Sequence, residues 1–330
     1  MHPKIRIQFL ATIVALLILG SCGDKANKPT EPVKVVNVPA FNSDSAYYFV
    51  QQQVNFGPRI PNSAAHKKTA DYLMAQLRKY GAKVIPQNFS ATTWDNQKLN
   101  LTNVIASFNP EKKKRILLSA HWDTRPFADK DSEKPNATFD GANDGASGVG
   151  ILLEIARGIK NSAPEVGIDI ILFDGEDWGE KDGEDQTHPL PNGLKEWWCL
   201  GSQHWAKNKH VPNYSAFFGI NLDMVGGKNA QFAREAYSME YAPSLVDKVW
   251  RTAAGLGLSH VFISTKTGFM TDDHRFVNES AKIPMIDIIS YDEATGFGDF
   301  HHTRKDNMEI ISKETLQAVG QTVMHVVYHE

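Results

Sequence analysis

Short apolar runs rich in β-branched residues recur along the chain, and stripes of helical period separate them. Residues 116–120, 168–173, 216–222 and 283–290 are such runs, and 102–108 is a fifth. Short, continuous apolar runs suit strands buried on both faces of a sheet. Between them, Ala70, Leu73, Leu77 and Tyr80 line one helical face, with Gly81 as the stop. Val149, Leu152, Leu153, Ala156 and Ile159 make a second stripe. Leu245, Val246, Val249 and Trp250 follow Pro243, a favoured first-turn residue, and Leu316, Val319, Val323 and Val326 make a last one. Alternation of this kind predicts an α/β fold, a three-layer α/β/α sandwich.

Polar residues fall at particular places on that frame. His121 and Asp123 follow the first run, Asp174, Glu176 and Asp177 the second, and Asp223 the third. Ligands of open α/β sheets bind beyond the carboxyl ends of strands, so three such placements point to one site.

The loop Asp140-Gly141-Ala142-Asn143-Asp144-Gly145-Ala146-Ser147-Gly148 opens a helix. A phosphate cradle is the first hypothesis for a glycine-rich helix entry. No lysine follows, however, and two aspartates repel a phosphate, so a cation held by Asp144 suits the loop better. Otherwise it is an ordinary helix entry with an acidic first turn. Glu176 and Asp177 are adjacent carboxylates after a buried strand, costly unless a cation or proton separates them; a solvated acidic turn is the alternative. His301-His302, in a loop with Gly296 and Gly298, is a better ligand candidate than a lone histidine. Aspartate and histidine donors without thiolate fit a catalytic zinc with an open position.

Charge is near balance, 35 Lys and Arg against 38 Asp and Glu, with no basic stripe, so a nucleic-acid partner is not expected. The two cysteines cannot build a disulfide framework, and Cys199 reads as a small buried apolar residue. Lys4 and Arg6 precede an apolar stretch over 9–19, then Gly20, Ser21 and Cys22, the pattern of a signal peptide over 1–21. Leu19-Gly20-Ser21-Cys22 resembles the bacterial lipobox, which implies a lipidated Cys22 and anchorage in the cell envelope, periplasmic or outer-membrane-associated. Residues 22–40 read as a flexible tether. Residues 41–330 are then a single catalytic domain, expected as a monomer.

His121-x-Asp123, the 141–148 loop, Phe173-Asp174-Gly175-Glu176-Asp177, the 221–227 segment and His301-His302-Thr303 together resemble the zinc aminopeptidase superfamily, the M28 peptidases. Gly57-Pro58-Arg59-Ile60-Pro61, Leu200-Gly201-Ser202-Gln203-His204 and Thr271-Asp272-Asp273-His274 bring it nearest to animal-type glutaminyl-peptide cyclotransferases. That resemblance implies a mixed, mostly parallel central sheet. It implies one Zn2+ held by Asp144, Asp177 and His302, Glu176 as proton shuttle, and Asp223 and Asp272 around the substrate amine. Its substrates would be peptides with N-terminal glutamine, closed to pyroglutamate with release of ammonia. The alternative is an aminopeptidase with a second zinc at His121 and Asp223, bridged by Asp144. A binding lipoprotein on a degenerate enzyme fold is a third reading, disfavoured by a competent side chain at every ligand position. The chain departs from the animal pattern at Asp177 (glutamate there), His301 (tryptophan) and Asp287 (histidine). Trp178, Trp197 and Trp198, in a loop over 178–198, are candidate pocket aromatics or loop packing.

Overall fold

The computed structural model describes residues 36–181 and 188–330. The expected signal peptide, Cys22 with most of the tether, and residues 182–187 of the tryptophan loop lie outside the described residues. Val36 and Val38, at the end of the expected tether, pack partly buried against the main core.

One mixed sheet organises the chain. Its strands are β1 (Lys83–Thr92), β2 (Lys98–Phe108), β3 (Arg115–His121), β4 (Gly167–Phe173), β5 (Phe218–Asp223) and β8 (Met285–Ile289), in the order β1-β2-β4-β3-β5-β8. β2 runs antiparallel to both neighbours, while β4, β3, β5 and β8 run parallel. Register brings the strand ends level: His121 opposite Phe173, and Asp223 opposite Ile289. Four carboxyl ends therefore open along one edge of the sheet. A second, two-stranded sheet pairs β6 (Phe232–Arg234) with β7 (Phe262–Lys266).

Side chains alternate between the two faces, as the pleat requires. Val104, Ile116, Leu118, Ile170, Ile220 and Ile286 meet the helices α1 (Ser43–Asn55), α2 (Ala64–Lys79), α3 (Ala146–Asn161), α6 (Pro243–Gly255) and α8 (Lys313–Tyr328) in the main core. Ile105, Leu117, Ile171, Phe173 and Met285 meet Trp205 of α4 (Leu200–Lys207) and Val277 on the other face. Each such side chain, fully buried, contributes about 1.5–3 kcal/mol. The three-layer sandwich and its mostly parallel sheet are as expected.

Three differences from the sequence expectations have local causes. The expected stripe on α3 is a helix buried nearly all round, because it lies between the sheet and α1. Gly148 makes that approach possible, since a Cβ there would sit 2.2 Å from the Leu222 carbonyl oxygen. β1 was not expected: it is half-exposed and holds Pro86, both properties of an edge strand. The small α5 (Ala236–Tyr241) and α7 (Asp273–Phe276) are too short to show a period.

Candidate metal centre

The level strand ends set the site's frame. β3 ends in His121, and two residues on, the buried Asp123 accepts from the Glu176 and Asp177 amides with Oδ1 and Oδ2, at 3.1 and 3.2 Å. One carboxylate thus caps the turn after β4 and aims its two acids at neighbouring places. The Arg125 amide donates to Asp177 Oδ2 at 2.9 Å and orients it further. Opposite, Asp306 receives the Asn143 and Asp144 amides at 2.7 and 3.1 Å, holding the glycine-rich loop from behind. Gly145 lies so close to His121 that a Cβ would come within 2.3 Å of its Nε2.

His302 approaches both Asp144 and Asp177. His302 Nε2 lies 3.6 Å from Asp144 Oδ2 and 3.2 Å from Asp177 Oδ1, and all three side chains are buried. Burial, with Arg125 nearby, pulls His302 down to about 3, so its imidazole is neutral and offers a lone pair. Burial and the neighbouring Asp144 push Asp177 well above the usual carboxylate range, a penalty that a dication would offset. Two carboxylate oxygens within 3.6 Å of one imidazole nitrogen, all desolvated, fit a zinc ion, and His301 completes a three-donor group with Asp144 and His302 whose atoms all lie within 4.8 Å of one another.

A second set shares Asp144. His121 Nε2 is 2.9 Å from Asp144 Oδ1 and 3.2 Å from Asp223 Oδ1. Burial would neutralise His121, but hydrogen bonds to Asp123, Asp144 and Asp223 outweigh it and hold the imidazole protonated well above its ordinary range. Asp223, pushed up by burial against the pull of His121, titrates at about 7.

Glu176, Cys199 and Asp272 present donor atoms within 4.8 Å of one another. Burial pushes Glu176 well upward, with Asp177, Asp272 and Asp273 adding to it and His121 opposing. Asp272 caps α7 and accepts from Asn221 Nδ2 at 2.7 Å. Glu176, Asp223 and Asp272 all line one cavity of about 670 Å³, together with Asp144, Asp177 and His302.

Trp197 and Trp198 line the same cavity, and Trp198 stacks on His302 with centroids 6.0 Å apart. Trp178 packs on the body instead, with Leu99, Leu101 and Leu200. His301 lines the cavity and meets Lys130 Nζ through Nδ1 at 2.9 Å. Asp287 lies behind the site, with Oδ1 3.3 Å from Asn221 Nδ2. Asp174, grouped with the site acids by sequence position, is committed to His66 and the Thr102 amide.

Sequence reasoning missed Arg125 and Asp306 and left Asp123 without a role. Each acts through backbone amides, an interaction that leaves no spacing signature. Cys199 is also more than a small apolar residue, since its Sγ lies 3.1 Å from Glu176 Oε1.

Peptidase family M28 matches residues 103–327, more than half of the chain. The structure is similar to that of Bacteroides thetaiotaomicron glutaminyl cyclase bound to N-acetylhistamine (50% identity, TM-score 0.85, 89% of this chain and 100% of that one). It is similar as well to a Zn-dependent exopeptidase from Parabacteroides distasonis ATCC 8503 (52% identity, TM-score 0.84, covering 89% and 100%). The glutaminyl-peptide cyclotransferase of Drosophila melanogaster is 23% identical over 286 residues, 78% of this chain and 73% of that one. Against two other curated relatives the chain spans only 41% and 54% of their length. By that match over residues 103–327, the chain belongs to peptidase family M28.

Proposed function

We propose that this protein is a zinc-dependent glutaminyl-peptide cyclotransferase, closing N-terminal glutamine to pyroglutamate and releasing ammonia. The observation that carries it is Asp272 beside Glu176 on the cavity wall, next to the Asp144–Asp177–His302 donors: an acidic nest for an α-amine adjoining a Lewis-acid site. Half of the residues match the B. thetaiotaomicron cyclase over nearly the whole described chain, which supports the same conclusion.

Asp144, Asp177 and His302 would hold the zinc, which when bound supplies Lewis acidity for the γ-amide carbonyl. The chain's own groups do the rest. Asp223 and Asp272 bind and orient the α-amine, so that it faces the γ-carbon. Glu176, made basic by burial, takes a proton from the amine as the ring closes and returns it to the departing ammonia. Trp197 and Trp198 flank the cavity and exclude water, which would otherwise hydrolyse the amide. Because amine and amide belong to one residue, holding the reactive conformer supplies much of the acceleration.

A two-zinc aminopeptidase is the alternative, and the His121–Asp144–Asp223 cluster favours it. Incubation with glutaminyl and leucyl peptides, alongside the zinc-to-protein ratio, tests both. Ammonia release with one zinc supports cyclisation; free amino acid with two zincs would overturn it. We further propose a lipid on Cys22, anchoring the protein to the cell envelope; the Leu19–Cys22 pattern supports it, and partition of C22S into the aqueous phase of a detergent extraction tests it.

A further inference from the structure

We propose that Cys199 is a positioning residue that decides which oxygen of Glu176 takes the substrate's proton; this rests on the cyclase function above. Cys199 is the residue immediately before α4 and is completely buried. Its amide donates to the Glu176 carbonyl at 2.8 Å, and the Leu200 amide to the Gly175 carbonyl at 3.0 Å. Backbone therefore ties the start of α4 to the turn that carries Glu176. The side chain adds a second tie, with Sγ 3.1 Å from Glu176 Oε1. Oε2 is left on the other side, 4.0 Å from His121 Nδ1.

Two features separate a positioning role from mere filling of space. Cys199 has φ 57° and ψ 39°, a left-handed conformation that glycine adopts freely and a side chain resists. A side chain is nonetheless present, and it points at the one carboxylate the reaction needs as a base. The thiol is also a weak donor. It orients Oε1 while withdrawing less electron density than a hydroxyl would, so Oε2 keeps its affinity for a proton. An alanine would fill the space almost as well and provide no orientation.

Two arms test this in the full-length, zinc-loaded protein. In the first, C199A and C199S are compared with the parent on a glutaminyl peptide. C199A should lower kcat about two- to fivefold, the lower half of the range for an intramolecular hydrogen bond, with KM within about twofold. C199S, which restores a donor, should recover most of the loss. Unchanged kcat in C199A, equal losses in both variants, or a loss confined to KM would each overturn the proposal. In the second arm C22S leaves Cys199 as the only thiol. Its S–H stretching band should stand at the lowered frequency of a hydrogen-bonded thiol and rise in C22S/E176Q, because an amide accepts more weakly than a carboxylate. A band at the free-thiol position, unmoved by E176Q, would overturn the contact itself. A band that moves in a parent without glutaminyl turnover would instead sink the cyclase function, so the two failures are told apart.

Discussion

Replacing Glu176 by glutamine keeps its volume and removes its basicity, and the structure sets how large the effect should be. A positioned acid–base group is worth about 10²–10⁴ in rate, or about 2.7–5.4 kcal/mol at 1.36 kcal/mol per decade. Glu176 is only 8% exposed, so bulk water has little access to substitute as base, and the loss should reach the upper half, about 10³ or more. The Asp123 bonds to the 176 and 177 amides are untouched, so zinc content should stay at the parent value. Stability should move the other way. Burial holds the Glu176 pKa above its unfolded value, so the folded state binds the extra proton and loses stability as pH rises from about 4.3. E176Q removes that penalty, and zinc-free E176Q should unfold at a urea concentration no lower than the parent at pH 8. The assay is coupled ammonia release with metal analysis and urea melts on the same samples. Turnover within tenfold of the parent would refute Glu176 as the base; loss of zinc would make it a ligand instead.

D177A or H302A should lose bound zinc and, with it, the stabilisation that zinc gives the parent, about 2.7 kcal/mol at a hundredfold excess over Kd; metal analysis and thermal melts with and without zinc check both. In chelated protein, Asp223 is raised by burial to about 7 against the pull of His121, so its contribution should fall as pH climbs from about 4 to about 7. D223N should flatten that stretch of the stability–pH curve in urea melts. G148A forces a Cβ against the Leu222 carbonyl and should destabilise by about 1–3 kcal/mol, read from the same melts.

Much of this was legible in order along the chain. Buried strands carry their own signature, and acids placed directly after such strands are carried to one sheet edge by parallel pairing. Glu176 and Asp177 could be placed for that reason, whereas Asp144 came from a glycine-rich helix entry, His302 from a histidine pair, and their grouping with Asp177 from the family resemblance. The four helices α2, α3, α6 and α8 and the stop at Gly81 rest on local pattern too; α1 was not read from it, and its buried face carries Gln53 beside Ala46, Phe49 and Val50. The tryptophans were not separable from sequence: Trp178 and Trp198 sit in one loop, yet only coordinates show the first under the body and the second on His302.

What the chain's order left open is how the acids are held apart and aimed. Local pattern places a carboxylate after a strand because periodicity and turn chemistry act over a few residues. Asp123 clasping the 176 and 177 amides, Asp306 clasping those of 143 and 144, and Cys199 on Glu176 all join segments distant in sequence. Such contacts exist only once the sheet has closed and desolvated the groups, which is also when their proton affinities shift. Donor identity was therefore written in the residues, and donor geometry and basicity were settled by packing.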